Sequence, residues 1–266
     1  MLIDHLPVSL AMLPDILKVF KSPDNTQQIA ATALRWLHFV GGITWIGLLY
    51  FFNLINVPVQ KGLDPETKKK VNPDLLGRAL WYFRWGAVVT VVAGLGYYVM
   101  YILKPDVSNA TEKLSHTGKT LALVWLAIPI VTFFIEFLVI KKVAVLTKDG
   151  RVYALVVLIL VVAMTLVILK WLSDGFTVGS NHYASNATLS IGVGGALGII
   201  MILNVWGIIW PNNKRIIAAT AGTGPAAPPE LARQAFLASR TNAWLSLPML
   251  LFMGSAHHDW QILSGK

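Results

Sequence analysis

Six apolar stretches constrain this chain more than any other feature. They cover residues 29–59, 80–103, 120–140, 152–172, 189–210 and 242–263. A helix needs roughly 20 mainly apolar residues to cross a hydrocarbon layer. The sixth stretch is the weakest, because it contains Pro248 and ends in His257, His258 and Asp259. Composition points the same way. Apolar residues make up 55% of the 266, charged residues 13%, and the mean hydropathy is +0.62. Soluble domains carry about 25% charge, so this chain is too apolar to keep a soluble surface. That sets aside a cytosolic enzyme, a disordered tail and a nucleic-acid module. The expected fold class is all-α, a polytopic transmembrane helix bundle of about six spans in a lipid bilayer. The chain has no cysteine, which excludes disulfides, thiolate metal sites, iron–sulfur clusters, a nucleophilic cysteine and the Cys-x-x-Cys-His attachment of c-type haem.

Residues 1–28 are expected to form an interfacial N-terminal segment, and residues 29–266 a single-domain bundle. The start lacks a basic leader and carries Asp4, Asp15, Pro7 and Pro14, unlike a cleavable signal peptide. Its stretch 10–20 (LAMLPDILKVF) reads as an amphipathic helix along the membrane surface or as a short helix packed on the bundle. The net charge of +9 fits basic loops at a membrane face. One set of loops holds Lys61, Lys68, Lys69, Lys70, Arg78, Lys141, Lys142, Lys148, Arg151, Lys214, Arg215, Arg233 and Arg240. The opposite side holds Lys18, Lys21, Lys104, Lys113, Lys119, Lys170 and Lys266. The positive-inside bias places the larger set in the cytoplasm, so both termini are expected on the outer side. Residues 221–230 (AGTGPAAPPE) read as a proline-rich linker. Gly194 with Gly198, and Gly94 with Gly96, mark close helix approaches.

Six histidines are present, at 5, 38, 116, 182, 257 and 258, and this topology places all of them at the outer side or in the outer half. His38 lies roughly 13 Å below the outer end of its span and His257 roughly 8 Å below its own, at 1.5 Å per residue. An ionisable group inside the bilayer is a functional candidate, and neutral imidazole is a common haem or metal ligand. Two histidines on different spans at similar depth are what a bis-imidazole haem b requires, with copper as the alternative. Arg35 lies one turn before His38 and is placed to pair with a haem propionate. The competing readings are plain. His116 and His182 read more readily as solvated loop residues, while His38 reads as well as a partner for a backbone group or a serine on a neighbouring span, and His257–His258 as a polar cap on the last helix.

Glu136 lies near the cytoplasmic end of the third stretch and reads as paired, with Arg84 a candidate partner, or as snorkelling. A place in a proton pathway is the alternative. Asn53, Asn56 and Asn204 sit toward the same side, as bridges between helices. No phosphate-binding loop, dinucleotide fingerprint, nucleophile elbow or His-Glu-x-x-His run occurs.

Three blocks carry a resemblance: RWLHFVGGITWIGLLYFFN at 35–53, GGALGIIMILNVWGIIWPNN at 194–213 and RTNAWLSLPMLLFMGSAH at 240–257. In order and spacing they resemble the membrane domain of the bacterial membrane-bound urate hydroxylases, the urate oxidase N-terminal domain family. The resemblance implies a bacterial inner-membrane protein working beside a cytochrome c domain outside the membrane, with His38 and His257 at the family's histidine positions. It also implies urate oxidation, with electrons passed to the cytochrome. The chain departs from the family in two ways. It stops at Lys266, just after the third block and before the family's cytochrome domain. Where the family has a histidine at the head of the glycine-rich span, this chain has 190–192, and the nearest histidine is His182.

The function expected from residues and resemblance together is that of an integral membrane redox protein. It binds haem b near the outer face through His38 and His257, with Arg35, His258, His116 and His182 as further candidates. It exchanges electrons with a c-type cytochrome or respiratory complex subunits. The alternative is an accessory or structural subunit of a larger respiratory complex.

Overall fold

The computed structural model describes residues 26–256 and 262–263. Within them, five helical segments are long and apolar enough to cross a membrane: Thr26–Gly62, Pro65–Asn109, Gly118–Lys142, Gly150–Gly175 and Asn186–Ala221. In chain order these are the first to fifth spans. A sixth helix, Pro229–Ser255, follows. Residues 34–266 form one compact unit.

The outward faces of these helices are apolar. Ile43 is 74% exposed, Val92 64% and Leu166 63%. Side chains like these, repeated along helices of this length, need lipid rather than water around them. The chain is a multi-pass membrane protein.

The spans overrun the apolar stretches read from the sequence, because a helix continues into polar sequence once its backbone bonds are being made. The second span begins at Pro65, where Asp64 caps it by accepting from Thr67 N at 3.0 Å, and only later enters apolar sequence. Thr117 caps the third span through Thr120 N at 3.2 Å, and Ser185 caps the fifth through Thr188 N at 3.1 Å. A two-stranded hairpin, Thr177–Val178 with Asn181–His182, links the fourth and fifth spans. Gly179 makes its turn at φ +59°, a conformation that side chains with a Cβ rarely adopt.

The sixth helix corrects an expectation. The sequence placed this element over 242–263, but it starts at Pro229 and ends at Ser255. Its first half carries Glu230, Arg233 and Arg240, so hydropathy does not see it, and it is not among the five that qualify as spans. Its second half presents Trp244, Leu247 and Leu250 outward, at 65%, 53% and 46% exposure. The interfacial helix expected over 10–20 lies outside the described residues, and so do His5, His257 and His258.

Three spans contain a widened π turn: Phe51–Asn56, Val99–Leu103 and Val205–Ile209. Each is followed at once by a proline at the second position of the resumed α-helix, Pro58, Pro105 or Pro211. A proline inside a helix lacks its N–H and clashes with the carbonyl four residues back. A wider turn ahead of it moves that carbonyl aside. Pro73, Pro129 and Pro248 lie in unbroken α-helix, so proline alone does not dictate the turn.

The fifth span is the centre of the bundle. In its apolar window 67% of residues are buried, against 22% in the first and fourth spans. It packs on the second, third and fourth spans and on the sixth helix. Glycines allow this. A Cβ on Gly194 would stand 3.2 Å from Met249 O, and one on Gly195 3.1 Å from the Trp125 ring. Gly198, expected to make a close approach with Gly194, is buried, yet a Cβ there would meet no heavy atom within 4 Å.

Candidate functional site

The first and second spans meet backbone to backbone. A Cβ on Gly41 would lie 2.8 Å from Thr90 Oγ1, 3.0 Å from Thr90 N and 3.1 Å from Gly86 O. Helices approach this closely only where side chains are missing. One turn away on the same face, the His38 ring covers Gly94, where an added Cβ would stand 2.7 Å from Nδ1 and 2.8 Å from Cε1. His38 Nδ1 is 2.8 Å from the carbonyl oxygen of Thr90. A carbonyl can only accept, so Nδ1 carries the hydrogen and donates it. In the neutral ring the lone pair is then on Nε2. The ring is half-buried. Arg35 is exposed, with its guanidinium 5.6 Å from the Tyr97 ring centroid, and Tyr97 stacks on Tyr101.

The other described histidines make contacts of their own. His116 is exposed and stacks on Trp171 at 4.8 Å between centroids. His182 ends the hairpin, with Nδ1 3.0 Å from Thr177 Oγ1. At the head of the fifth span, where the resemblance implies a histidine, Ser190 is buried and donates to Asn186 Oδ1 at 2.9 Å. Asn186 in turn donates to Ser255 O at 2.9 Å, which ties the last turn of the sixth helix to the head of the fifth span. Among the described residues, no group of three or more His, Cys, Asp or Glu is placed to hold a metal ion.

A second polar centre lies toward the basic end of the bundle. Glu136 is 3% exposed. It receives the Tyr153 hydroxyl at 2.8 Å on Oε1, and Asn204 Nδ2 at 3.2 and 3.3 Å on its two oxygens. Asn204 Nδ2 also donates to Asn242 Oδ1 at 3.1 Å, and Asn242 Nδ2 donates to Met201 O at 2.8 Å. The last bond fixes the Asn242 amide, which fixes the Asn204 amide, which aims an N–H at the carboxyl. Asn204 Oδ1 is left buried without a partner.

The sequence reading of Glu136 as paired holds, with Tyr153 and Asn204 as its partners. The side chain does not snorkel, and Arg84 is not its partner. Arg84 lies over Trp210, with Cζ 3.8 Å from the ring centroid, and 5.5 Å from that of Trp206. The reason is the packing order: the second span meets the fifth at these tryptophans, while Glu136 faces the fourth and fifth spans and the sixth helix. Tyr153 and Asn242 were not singled out from the sequence. A tyrosine near the start of the 152–172 stretch and an asparagine opening the 242–263 stretch carry no distinguishing pattern of their own.

The class these features define is a multi-pass helical membrane protein with two polar centres inside its bundle. The chain belongs to the urate oxidase N-terminal family, whose match covers residues 60–265. The blocks at 194–213 and 240–257 lie within the match, whereas the block holding His38 precedes it. No curated protein and no solved structure matches the chain.

Proposed function

We propose that this chain is an integral redox protein of the bacterial inner membrane, with haem b held near the outer face and both termini on that side. His38 and His257, the family's other histidine position, are the residues that would hold the haem. Arg35 pairs with a propionate, and copper is the alternative occupant. The observation that carries this reading is the state of the His38 ring. A ligating imidazole donates one N–H to a carbonyl or carboxylate and offers its other nitrogen to the metal, and His38 donates Nδ1–H to Thr90. Gly94 supports the fit, since a side chain there would collide with the ring. Bound haem takes up and gives back one electron. The protein's own residues orient the ring and fix its tautomer, and Arg35, one turn before His38 on the same helix, would supply the cation for a propionate. The electron partner is a c-type cytochrome or a respiratory complex.

The test is the visible spectrum of the purified full chain, oxidised and reduced. A Soret band that is lost in His38→Ala and in His257→Ala supports the reading. A preparation with no Soret band, which also fails to take up added haem, rejects it.

One observation favours a second reading, an accessory subunit without its own cofactor. The Thr90 bond would equally satisfy a histidine that only joins the first two spans. In that case the purified protein is colourless, and His38→Ala lowers stability with no spectral consequence.

A further inference from the structure

We propose that Glu136 is a proton-binding site inside the bundle: its carboxyl takes up and releases a proton while the helices around it stay folded. Three elements face the side chain. From the fourth span comes the Tyr153 hydroxyl, from the fifth the Asn204 amide, and Asn242 on the sixth helix stands behind that amide. Tyr153 is the titratable group among them, and none carries a positive charge. The cations nearby along the chain are engaged elsewhere. Lys141 Nζ donates to Gln234 Oε1 at 2.7 Å, Arg233 donates to Thr147 O and Lys148 O, and Arg240 lies over Phe236, while Arg84 covers Trp210 with its Nε buried and bonded to nothing among the described residues.

Every hydrogen bond that reaches the carboxyl thus comes from a neutral donor. Donors favour the ionised form and burial opposes it. A cation would have locked the group as an anion, and among the described residues none bonds it. When the carboxyl is ionised the Tyr153 hydroxyl donates to it, and when it is protonated the same hydroxyl oxygen, 2.8 Å away, can accept its proton. A second acceptor, Asn204 Oδ1, is buried and has no partner among the described residues. The site therefore serves both states and commits to neither. The event is simple in balance: one proton from water joins the carboxylate to give the neutral acid, and later returns, with no oxidant or reductant involved. Lys141 marks the basic end five residues further along the helix, roughly 8 Å away at 1.5 Å per residue. Proton binding here is independent of haem at His38.

The experiment is infrared difference spectroscopy of the purified full chain in lipid as the pH is raised from about 5 to about 9, the range over which a perturbed carboxyl titrates. The expected result is a protonated-carboxyl C=O band that gives way to carboxylate bands. It is absent in Glu136→Gln. In Tyr153→Phe it moves to higher frequency, because that variant removes the hydroxyl bonded to Oε1. Three results overturn the proposal: a Glu136 band that persists across the whole range, no Glu136-dependent band at any pH, or a titrating band that Tyr153→Phe leaves in place. The Phe variant keeps the ring and the carboxyl, so it assigns the band even if the Gln variant fails to fold.

Discussion

His38 and Glu136 are both polar groups inside one bundle, and they are held in opposite ways. His38 rests on what its neighbours lack. Gly94 has no side chain, Gly41 and Gly86 let the backbones touch, and a single carbonyl takes up one ring nitrogen. Glu136 rests on what its neighbours supply, a hydroxyl and an amide from two other helices, with the Asn242 amide of a third holding the first amide in place. The first arrangement leaves Nε2 of a half-buried ring without a hydrogen-bond partner among the described residues. The second encloses the group and leaves it no bonded counter-charge among the described residues. A site that offers a lone pair to a ligand suits the first design, and a site that holds something as small as a proton suits the second.

The two designs should break differently. The largest effect is expected for Gly41→Val, which drives branched carbons into the backbone of Gly86 and Thr90, where no side-chain rotation gives relief. A loss of about 3 kcal/mol, read by denaturant unfolding in detergent, would mark the first contact as steric. Asn204→Leu should come next, at about 2 kcal/mol. It removes bonds to Glu136 and Asn242 together, and interhelical hydrogen bonds in membranes are individually modest. If Asn204→Leu proves harmless, the network is decoration and the contrast between the two regions fails.

A smaller and more selective effect is expected for Gly94→Ala. The new methyl displaces an imidazole, which can turn, so the stability cost is about 1 kcal/mol. The ring nevertheless loses its register with Thr90. In the redox reading, the Soret band of this variant shifts or weakens while its unfolding midpoint barely moves. Equal effects on both would mean that His38 is a packing residue.

The fold was more legible in the sequence than either centre. Length and hydropathy located the spans because lipid imposes one rule along the whole chain. They failed for the sixth helix, whose polar first half from Pro229 to Arg240 is helical but not apolar. They were also silent on the π turns, which depend on backbone crowding at Pro58, Pro105 and Pro211. His38 and Arg35 could be named because a histidine and an arginine are conspicuous in apolar sequence. Gly94 was noted as a packing residue, but nothing showed that it makes room for His38, since that pairing needs the register of two helices. Tyr153 and Asn242 escaped for the same reason: each is ordinary alone and becomes informative only beside Glu136.

Asp64 provides the control, a carboxyl in the loop between the first two spans and fully open to solvent. Its Oδ2 accepts from Thr67 Oγ1 at 2.6 Å and its Oδ1 from Thr67 N at 3.0 Å. These bonds, the hydroxyl's first, hold the group below its ordinary value of 3.8. A depressed carboxylate contributes stability above its unfolded pKa and loses that contribution as the pH falls through the folded one. The cap should therefore be at full strength at neutral pH and fade below about pH 4. Asp64→Asn keeps a capping oxygen without a charge, so its unfolding midpoint should match the parent at neutral pH and depart from it only in acid. Asp64→Ala should be lower throughout, by a smaller margin than any of the three bundle variants. Parallel acid profiles for parent and Asp64→Asn would mean that the Thr67 bonds do not hold in the membrane-bound protein. A divergence confined to acid would give an ordinary solvent-exposed titration with which the infrared behaviour of Glu136 can be compared.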